Sequence, residues 1–311
     1  MRTVFLGTSE FALPILRELD ASSHIDLRLV LSRPSKPSGR GLEPTDPPVA
    51  IEAKSLGIDL AQPRKPGEAS ILDRLRRLSP RLMVCAAYGA YMPESLIGMA
   101  SLGVVNVHPS LLPAYRGAAP VARAIMEGKT VTGVSFMLTD TEGWDTGPVL
   151  TSFSHPVNPE DTTGSLTEKL SRLAGRKVVE VVVGYAEGDI EPAPQEGEPS
   201  YARKIEKSET WIDWTEEAAR IERLVRALQP SPGARTRYGK RMLKVVCAEV
   251  AEGDFGKPGT VRLVGEGIVI ACGRNGLRPL VVQPESRKAI AVADFVRGYR
   301  PRDGERFGGR P

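Results

Sequence analysis

Short apolar runs alternate with helical patterns along the first 188 residues. The strand-like runs are 3–6, 26–31, 82–87, 103–107, 132–138 and 147–155, and the helical stretches are 11–19, 48–56, 68–78, 120–127 and 166–186. Continuous apolar strands separated by helices are typical of a mostly parallel sheet that is covered on both faces. The pattern therefore predicts an α/β fold with a ligand crevice beyond the carboxyl ends of the strands.

The pattern changes after residue 188. Residues 188–209 are rich in proline, glycine and charge and have no apolar period, which predicts a linker. Residues 215–230 predict a helix with Thr215 as its N-cap, and short strands are expected at 241–250, 259–265, 267–273 and 277–284. Such strands, with the hairpin signal Arg274-Asn275-Gly276, are typical of a small barrel. We expect a first domain at 1–188, a linker at 189–208 and a second domain at 209–311.

Asn106 and His108 lie at the end of the predicted strand 103–107, just before Pro109. Alternate residues of a strand share a face, so the amide and the imidazole point to the same side. An imidazole can move protons near neutral pH, and an amide N–H can stabilise an oxyanion. The pair is thus a candidate acyl-transfer centre, and a buried structural histidine beside a loop-capping asparagine is the alternative.

Asp145 lies in a loop between two predicted strands, flanked by Gly143 and Gly147. Glycines allow close approach of the backbone to a ligand. A carboxylate near an imidazole orients the ring and favours its charged form. The alternative is that Asp145 only forms a local turn. HExxH, Walker and GxGxxG motifs are absent from the sequence, which argues against metallohydrolase and nucleotide-dependent chemistry.

The charge of the chain is unevenly distributed. The net charge is +4, and two tracts, 27–42 and 223–248, carry several Lys and Arg residues and no acid. Such tracts fit either a polyanionic partner or a solvated basic face. The three cysteines have no CxxC spacing, and no segment has the length and polarity of a signal peptide or a membrane span. These features predict a cytoplasmic protein with reduced thiols.

The segments NVHPSLLPAYRGAAP (106–120) and EGWDTGPVL (142–150) resemble the signature of enzymes that use 10-formyltetrahydrofolate. The resemblance implies a Rossmann-like formyltransferase domain followed by a small OB-like β-barrel domain. It implies that Asn106, His108 and Asp145 are catalytic. It further implies a folate-binding role for two segments, which comprise Ser110, Leu111, Leu112 and Pro113 in one and Ala87, Tyr88 and Gly89 in the other.

Over nearly the whole chain the sequence is similar to the members of this family that formylate methionyl-initiator tRNA. The similarity includes RPSKPSGRG (33–41), YARKIEK (201–207) and PSPGARTRYGKRMLKV (230–245). It implies a monomer that needs no metal, with 10-formyltetrahydrofolate as the formyl donor. The tRNA contacts that it implies are Arg33, Lys36 and Arg40 in the first basic tract, Lys204 and Lys207 in the linker, and Arg235 and Lys240 in the second domain.

Alternative functions share part of this pattern. Glycinamide ribonucleotide formyltransferases and 10-formyltetrahydrofolate hydrolases carry similar HPS and DTGPV segments, and amino-sugar formyltransferases share the two-domain architecture. The basic tract 27–42 and the second domain favour tRNA over these small substrates. A non-catalytic RNA-binding protein would have no use for the Asn106, His108 and Asp145 set. Trp144 stands where an aliphatic residue is expected in the family, which bears on packing around the pterin.

Overall fold

The computed structural model describes residues 1–38 and 43–308. Contacts between residues divide them into two compact units. The first unit comprises 1–117, 131–156 and 167–202, and the second comprises 118–130, 157–166 and the residues from 203 onward. Among the described residues, none of the helices has the length and apolar character needed to span a membrane.

The strands are β1 (Arg2–Gly7), β2 (Asp26–Leu31), β3 (Lys36–Ser38), β4 (Glu43–Thr45), β5 (Leu60–Ala61), β6 (Leu82–Ala86), β7 (Val104–His108), β8 (Val131–Leu138), β9 (Val149–Pro156), β10 (Ala234–Tyr238), β11 (Arg241–Ala251), β12 (Val261–Val264), β13 (Gly267–Ala271), β14 (Gly276–Pro284), β15 (Ile290–Ala291) and β16 (Phe307–Gly308). The α-helices are α1 (Leu13–Ala21), α2 (Pro48–Ser55), α3 (Ala69–Leu78), α4 (Glu94–Ile97), α5 (Pro120–Met126), α6 (Thr163–Glu187), α7 (Ala218–Ala227) and α8 (Val292–Tyr299).

The first unit is built on a sheet with the strand order β5-β2-β1-β6-β7-β8-β9. The pairings from β5 to β7 are parallel, whereas β8 and β9 are antiparallel to their neighbours. The apolar residues at the centres of β1, β2 and β6 are completely buried, as expected for strands covered on both faces. The predicted α/β fold with a mostly parallel sheet is confirmed.

The second unit is built on an antiparallel sheet with the order β12-β13-β14-β11-β10-β16, curved like part of a barrel. The two end strands meet because Phe307 N donates to Gly259 O and Val261 N donates to Glu305 O. Asn275 has a φ of +63° at the hairpin turn between β13 and β14, as its position in the turn signal predicts. The small barrel predicted from the sequence is therefore confirmed.

The helix predicted at 215–230 begins later than expected. It starts at Ala218 with Glu217 at the N-cap position, and its cap has no side-chain hydrogen bond. The predicted capping role of Thr215 was wrong, because its hydroxyl donates instead to Asp213 Oδ1 at 2.6 Å. Thr215 lies two residues before the N-cap position, and its side chain bonds locally to Asp213 instead of to the first turn of the helix.

The predicted linker contains residues that the contacts assign to different units. Residues 189–202 group with the first unit, and residues 118–130, which include α5, group with the second. The domain bounds 1–188, 189–208 and 209–311 stay a prediction.

Candidate active site

Asn106 and His108 lie on one face of β7, which is flanked by β6 and β8. His108 is almost fully buried, with 4 % of its surface exposed, whereas Asn106 is half-buried. The alternation of side chains along β7 puts both residues on the same side of the sheet, where they differ in how far they are buried. The imidazole is shielded from water, and the amide remains accessible to a ligand.

Asp145 joins these two residues. One carboxylate oxygen, Oδ1, accepts from Asn106 Nδ2 at 3.2 Å. The other, Oδ2, accepts from the backbone N–H of Gly117 at 2.8 Å and lies 3.5 Å from His108 Nδ1. The predicted centre of Asn106, His108 and Asp145 is therefore brought together in space, although the third residue is 37 positions away from the second along the chain.

The second ring nitrogen of His108 fixes its tautomer. His108 Nε2 lies 2.9 Å from the carbonyl oxygen of Tyr115. A carbonyl only accepts hydrogen bonds, so Nε2 carries a proton in this geometry. The remaining site, Nδ1, faces the Asp145 carboxylate, and it is there that His108 can gain or lose a proton. The pair can therefore exchange a proton with its surroundings at one defined position.

The loop that carries Asp145 is tightly constrained. Asp145 has a φ of +57°, a left-handed conformation that aspartate tolerates better than most residues. Thr146 Oγ1 donates to Asp140 Oδ1 at 2.8 Å across the loop. A Cβ at Gly147 would lie 1.9 Å from the carbonyl oxygen of Leu138, so only glycine fits there.

We predict that Gly147→Ala displaces the Asp145 loop and lowers both activity and stability. The added methyl group would overlap a backbone atom, which cannot rotate away, so a loss of about 2 kcal/mol or more in the free energy of unfolding is expected. Urea unfolding measures it. Gly298→Ala is the matched control, because a Cβ at this helical glycine has nothing within 4 Å. The control should be neutral or stabilising.

The first predicted folate segment follows β7. Ser110 is fully buried, and its hydroxyl donates to Ala114 O at 2.6 Å, while its carbonyl accepts from Ser135 Oγ at 2.8 Å. The N–H of Leu112 donates to the same Ser135 Oγ at 3.0 Å. Leu111, Leu112 and Pro113 are half-buried on this pinned loop. The loop thus presents a fixed, partly exposed apolar surface beside the candidate site.

The second predicted folate segment follows β6. Ala87 and Gly89 both have positive φ values, +45° and +73°, and Tyr88 between them packs into the apolar core. The Tyr88 hydroxyl is buried and has no hydrogen-bond partner among the described residues, and burial raises its pKa to about 12. Trp144 is 65 % exposed and contacts Tyr91 edge-on, with ring centroids 6.2 Å apart. Its bulk therefore lies outside the core.

The predicted tRNA-binding residues lie in both units. In the first unit, Arg33 Nη1 donates to Arg64 O at 3.1 Å, and Lys36 is exposed on the hairpin formed by β3 and β4. Arg40 lies outside the residues that the structure describes. Of the four contacts predicted in the second unit, three are exposed and one is half-buried. The exposed ones are Lys204, Lys207 and Lys240, and the half-buried one is Arg235.

Several groups around the centre were not predicted from the sequence. They are the backbone N–H of Gly117, the carbonyl of Tyr115 and two side chains, Gln195 and Ser200, that contact these loops. Backbone groups have no residue-type signal. The two side chains lie in a segment whose composition predicts a linker, so no motif pointed to them. Within residues 1–38 and 43–308 no cluster of His, Cys, Asp and Glu has the makings of a metal site.

A buried imidazole paired with a carboxylate, next to an amide donor, is an arrangement that could perform acyl transfer. Comparison with protein families agrees: the family described as formyl transferase matches residues 1–182, and the formyl transferase C-terminal domain matches residues 204–300. The methionyl-tRNA formyltransferase of Myxococcus xanthus is 42 % identical over 301 residues, which cover 96 % of this chain and 95 % of that protein. The chain belongs to the methionyl-tRNA formyltransferase family.

Solved structures of low sequence identity share the fold. An N-formyltransferase from Helicobacter canadensis, in complex with folinic acid and dTDP-3-aminofucose, has a TM-score of 0.66 at 15 % identity and covers 91 % of this chain and 98 % of its own. HypX from Aquifex aeolicus, in complex with tetrahydrofolic acid, has a TM-score of 0.63 at 17 % identity, covering 100 % of this chain and 51 % of its own. The two-unit architecture therefore occurs in proteins of quite different sequence.

Proposed function

We propose that this protein transfers the formyl group of 10-formyltetrahydrofolate to the α-amine of methionyl-initiator tRNA, at the centre formed by Asn106, His108 and Asp145. The single observation that carries the assignment is the Asp145 carboxylate, held by the Asn106 amide and the Gly117 N–H and lying 3.5 Å from His108 Nδ1. The family membership supplies the reaction, and this geometry supplies the groups that perform it.

Asn106 and His108 stabilise the negative charge that develops during the transfer. When the neutral amine adds to the formyl carbon, the carbonyl oxygen becomes an oxyanion. The Asn106 amide has two N–H groups, and only one is used by Asp145. The other can donate to the oxyanion, and the proton that His108 Nδ1 takes up from the attacking amine adds to this stabilisation. Donors held in place before the reaction stabilise such a charge without reorganisation.

Asp145 controls the protons. The attacking nitrogen must lose a proton as the new C–N bond forms, and the folate nitrogen must gain one as the old C–N bond breaks. The Asp145–His108 pair can accept the first proton, through a water, and return it to the leaving nitrogen. Proton transfer by groups placed in this way contributes typically about 10²- to 10⁴-fold to a rate. The transfer is direct, from donor nitrogen to acceptor nitrogen.

Cys85 does not serve as a nucleophile in this scheme. Its thiol is buried, and burial, with a smaller contribution from the charge of Asp145, raises its pKa to about 12. Only the thiolate is a competent nucleophile, and at neutral pH almost none is present. A direct transfer to the amine therefore fits the site better than a thioester intermediate does.

The segment that includes the β3–β4 hairpin is proposed to contact the tRNA phosphates through Arg33, Lys36 and Arg40. Its base is held by Asp46, which accepts hydrogen bonds from Ser35, Lys54 and Gln62. These bonds, the one from Lys54 first, lower the pKa of Asp46 to about 2. Because this pKa is lowered, the ionised Asp46 stabilises the folded protein. That contribution is complete above about pH 4, the ordinary aspartate pKa, and is lost as the pH falls through about 2. The anchor is therefore intact under any ordinary assay conditions.

We predict that Asp46→Asn raises the KM for methionyl-tRNA by about threefold to tenfold, the equivalent of about 1 kcal/mol, and leaves kcat nearly unchanged. The neutral amide cannot form an ion pair with the Lys54 ammonium, so the contact weakens, the hairpin base loosens and the basic side chains are less well placed. Steady-state kinetics with varied tRNA measure the effect. Asp73→Asn removes an exposed helical ion pair with Arg76 and is the control. Equal KM values for the two variants would contradict the anchoring role.

The exposed lysines of the second unit are proposed as further phosphate contacts. A cleft of about 440 Å³ beside Lys240 is lined by Tyr238, Arg241 and Tyr299 among others. Cations next to aromatic rings suit a nucleic acid, because phosphates and base faces can both be contacted. Phosphate contacts also predict that affinity falls steeply as salt is raised.

The function is tested by formyl transfer from 10-formyltetrahydrofolate to four acceptors. These are methionine-charged initiator tRNA, methionine-charged elongator tRNA, glycinamide ribonucleotide and a nucleotide-linked amino sugar. Rapid transfer to the charged initiator alone is expected. Preference for a small amine, or release of free formate with no acceptor, would overturn the assignment of substrate while keeping that of the centre.

The location and the oligomeric state are also proposals. We propose a cytoplasmic monomer, and support for the compartment comes from the three free thiols of Cys85, Cys247 and Cys272. Light scattering at the concentrations of the assay, with and without tRNA, measures the oligomeric state. A stable dimer without tRNA would contradict the monomer.

A further inference from the structure

Residues 189–202, here called the strap, run from the end of α6 along the loops that carry the candidate centre. Most strap residues are exposed, but Gln195 is half-buried. We infer that Gln195 is a positioning residue for formyl transfer: it fixes the backbone that holds the Asp145 carboxylate against the backbone that orients His108. This inference rests on the proposed function and adds a residue that does not itself touch the substrates.

The Gln195 side chain uses every hydrogen-bonding position that it has. Its Nε2 donates to the carbonyl oxygens of Asp145 at 2.9 Å and Gly147 at 2.8 Å. Its Oε1 accepts from Arg116 Nε at 3.1 Å and Nη2 at 2.7 Å. Carbonyls only accept and a guanidinium only donates, so a flipped amide would face four mismatched partners. The orientation is therefore unique.

These partners lie on two separate stretches of chain that together make the centre. Asp145 supplies the carboxylate, and its left-handed φ of +57° is held by the bond to its own carbonyl. Arg116 lies between Tyr115, whose carbonyl accepts from His108 Nε2, and Gly117, whose N–H donates to Asp145 Oδ2. Gln195 thus connects the backbone behind the imidazole to the backbone behind the carboxylate.

The rest of the strap is anchored on both sides of Gln195. Ala193 exchanges two backbone hydrogen bonds with Val149, at 2.8 and 2.9 Å, just after the Asp145 loop. At the other end, Ser200 Oγ accepts from Tyr115 N at 2.9 Å, and Ser200 O accepts from Arg116 N at 2.9 Å. With both ends fixed, Gln195 has little freedom to leave its four partners. Its hydrogen bonds therefore hold the loops of the centre in one arrangement.

The consequence is catalytic because the centre depends on short distances. Asp145 Oδ2 is 3.5 Å from His108 Nδ1, and Asn106 reaches Oδ1 at 3.2 Å. Small displacements of a catalytic group, about 1 Å, can cost about 100-fold in rate. Loss of Gln195 would free two carbonyls and one guanidinium, and the Asp145 loop would sample other positions.

The experiment compares full-length Gln195→Ala and Gln195→Met with Glu198→Ala, which alters an exposed strap residue. Methionine keeps the length and packing of glutamine and loses all four hydrogen bonds, so it separates positioning from a packing defect. For both Gln195 variants kcat should fall by about 10- to 100-fold, as expected for a displaced loop. The KM values for 10-formyltetrahydrofolate and tRNA should change by less than about threefold, because Gln195 contacts neither substrate. Glu198→Ala should behave as the unaltered protein.

Three further readouts make the result decisive. Circular dichroism and urea unfolding show whether each variant is folded at assay temperature, and the pH profile of kcat shows whether the Asp145–His108 pair is disturbed. A shifted profile is expected in the Gln195 variants. Arg116→Ala combined with Gln195→Ala should cost hardly more than Gln195→Ala alone, since the Arg116 variant removes two of the four bonds that the Gln195 variant already removes.

The failures are distinguishable. If the unaltered protein does not formylate methionyl-tRNA, the proposed function is wrong, whatever the Gln195 variants do. If it does, and a folded Gln195→Met retains kcat and its pH profile, the positioning role is wrong. Additive losses for Arg116 and Gln195 would also overturn it, because the two side chains would then act separately.

Discussion

Replacing Asn106 with alanine is expected to lower kcat for formyl transfer by about 100- to 1,000-fold, the loss typical of a removed oxyanion donor. Asn106 is half-buried on β7, with one amide N–H occupied by Asp145 and the other available to the reacting oxygen. Truncation removes the donor and also one of the hydrogen bonds that hold the carboxylate. The KM for 10-formyltetrahydrofolate should change little, because the oxyanion exists only during the reaction.

The loss should be the same across the pH range of activity. An amide does not ionise, so its removal lowers the profile without shifting it, in contrast to the loss of a titrating group. Single-turnover measurements with saturating substrates isolate the chemical step from product release. A folded Asn106→Ala protein with more than about a tenth of the normal rate would contradict the oxyanion role, since one such donor contributes about 3–4 kcal/mol.

The strands of the first sheet were predictable because burial on both faces requires continuous apolar runs. The run at 26–31 coincides with β2, and the run at 82–87 differs from β6 by one residue. The N-x-H spacing of Asn106 and His108 was informative for the same reason. Burying polar side chains inside such a run costs free energy unless they are hydrogen-bonded, so their presence indicates a specific role. Two residues of the centre were thus visible in the local pattern.

The rest of the site could not be read in this way. Nothing in the sequence places Asp145 beside His108, because the contact depends on the antiparallel strands β8 and β9 and on the loop between them. The resemblance to the folate-dependent family supplied that residue. No motif pointed to Gln195: its four hydrogen bonds go to two backbone carbonyls and one arginine, and its segment has the composition of a linker.

The strap shows why composition is a weak guide to order. Proline, glycine and charged residues predict a flexible connection, because such a segment buries little apolar surface. In this protein the segment 189–202 is ordered by backbone hydrogen bonds to Val149, Pro113 and Arg116 instead. Ordering by hydrogen bonds to neighbouring loops leaves no periodic pattern. The sequence therefore predicted the core of the fold well and the polar framework of the site poorly.

Replacing Asp145 with asparagine is expected to be the most damaging conservative change, with a loss of about 1,000-fold or more in kcat, comparable with the loss of the aspartate of an Asp–His pair in hydrolases. The Asp145 side chain is only 12 % exposed and is approached by Asn106 Nδ2, Gly117 N and His108 Nδ1. The first two are donors whatever the pH. An asparagine has one oxygen and one NH₂ group, so its NH₂ must face at least one of these donors.

The asparagine also replaces an ionisable group of the centre with one that cannot exchange a proton. The profile of kcat against pH should therefore shift as well as fall, which separates this variant from Asn106→Ala. Asp140→Asn is the matched control, because Asp140 lies in the same loop and accepts from Thr146 and from the N–H of Glu142. A loss of less than about tenfold is expected there, the cost of one weakened hydrogen bond of about 1 kcal/mol.

The comparison of the two aspartates decides what the carboxylate does. If both variants lose activity equally, with no shift in the pH profile, the loop conformation is what matters and Asp145 is a structural turn residue after all. If only Asp145→Asn loses activity and its pH profile shifts, the carboxylate acts on the proton of His108. The second outcome is expected, because only Asp145 directs a carboxylate oxygen at the one ring nitrogen that Tyr115 leaves free to exchange its proton.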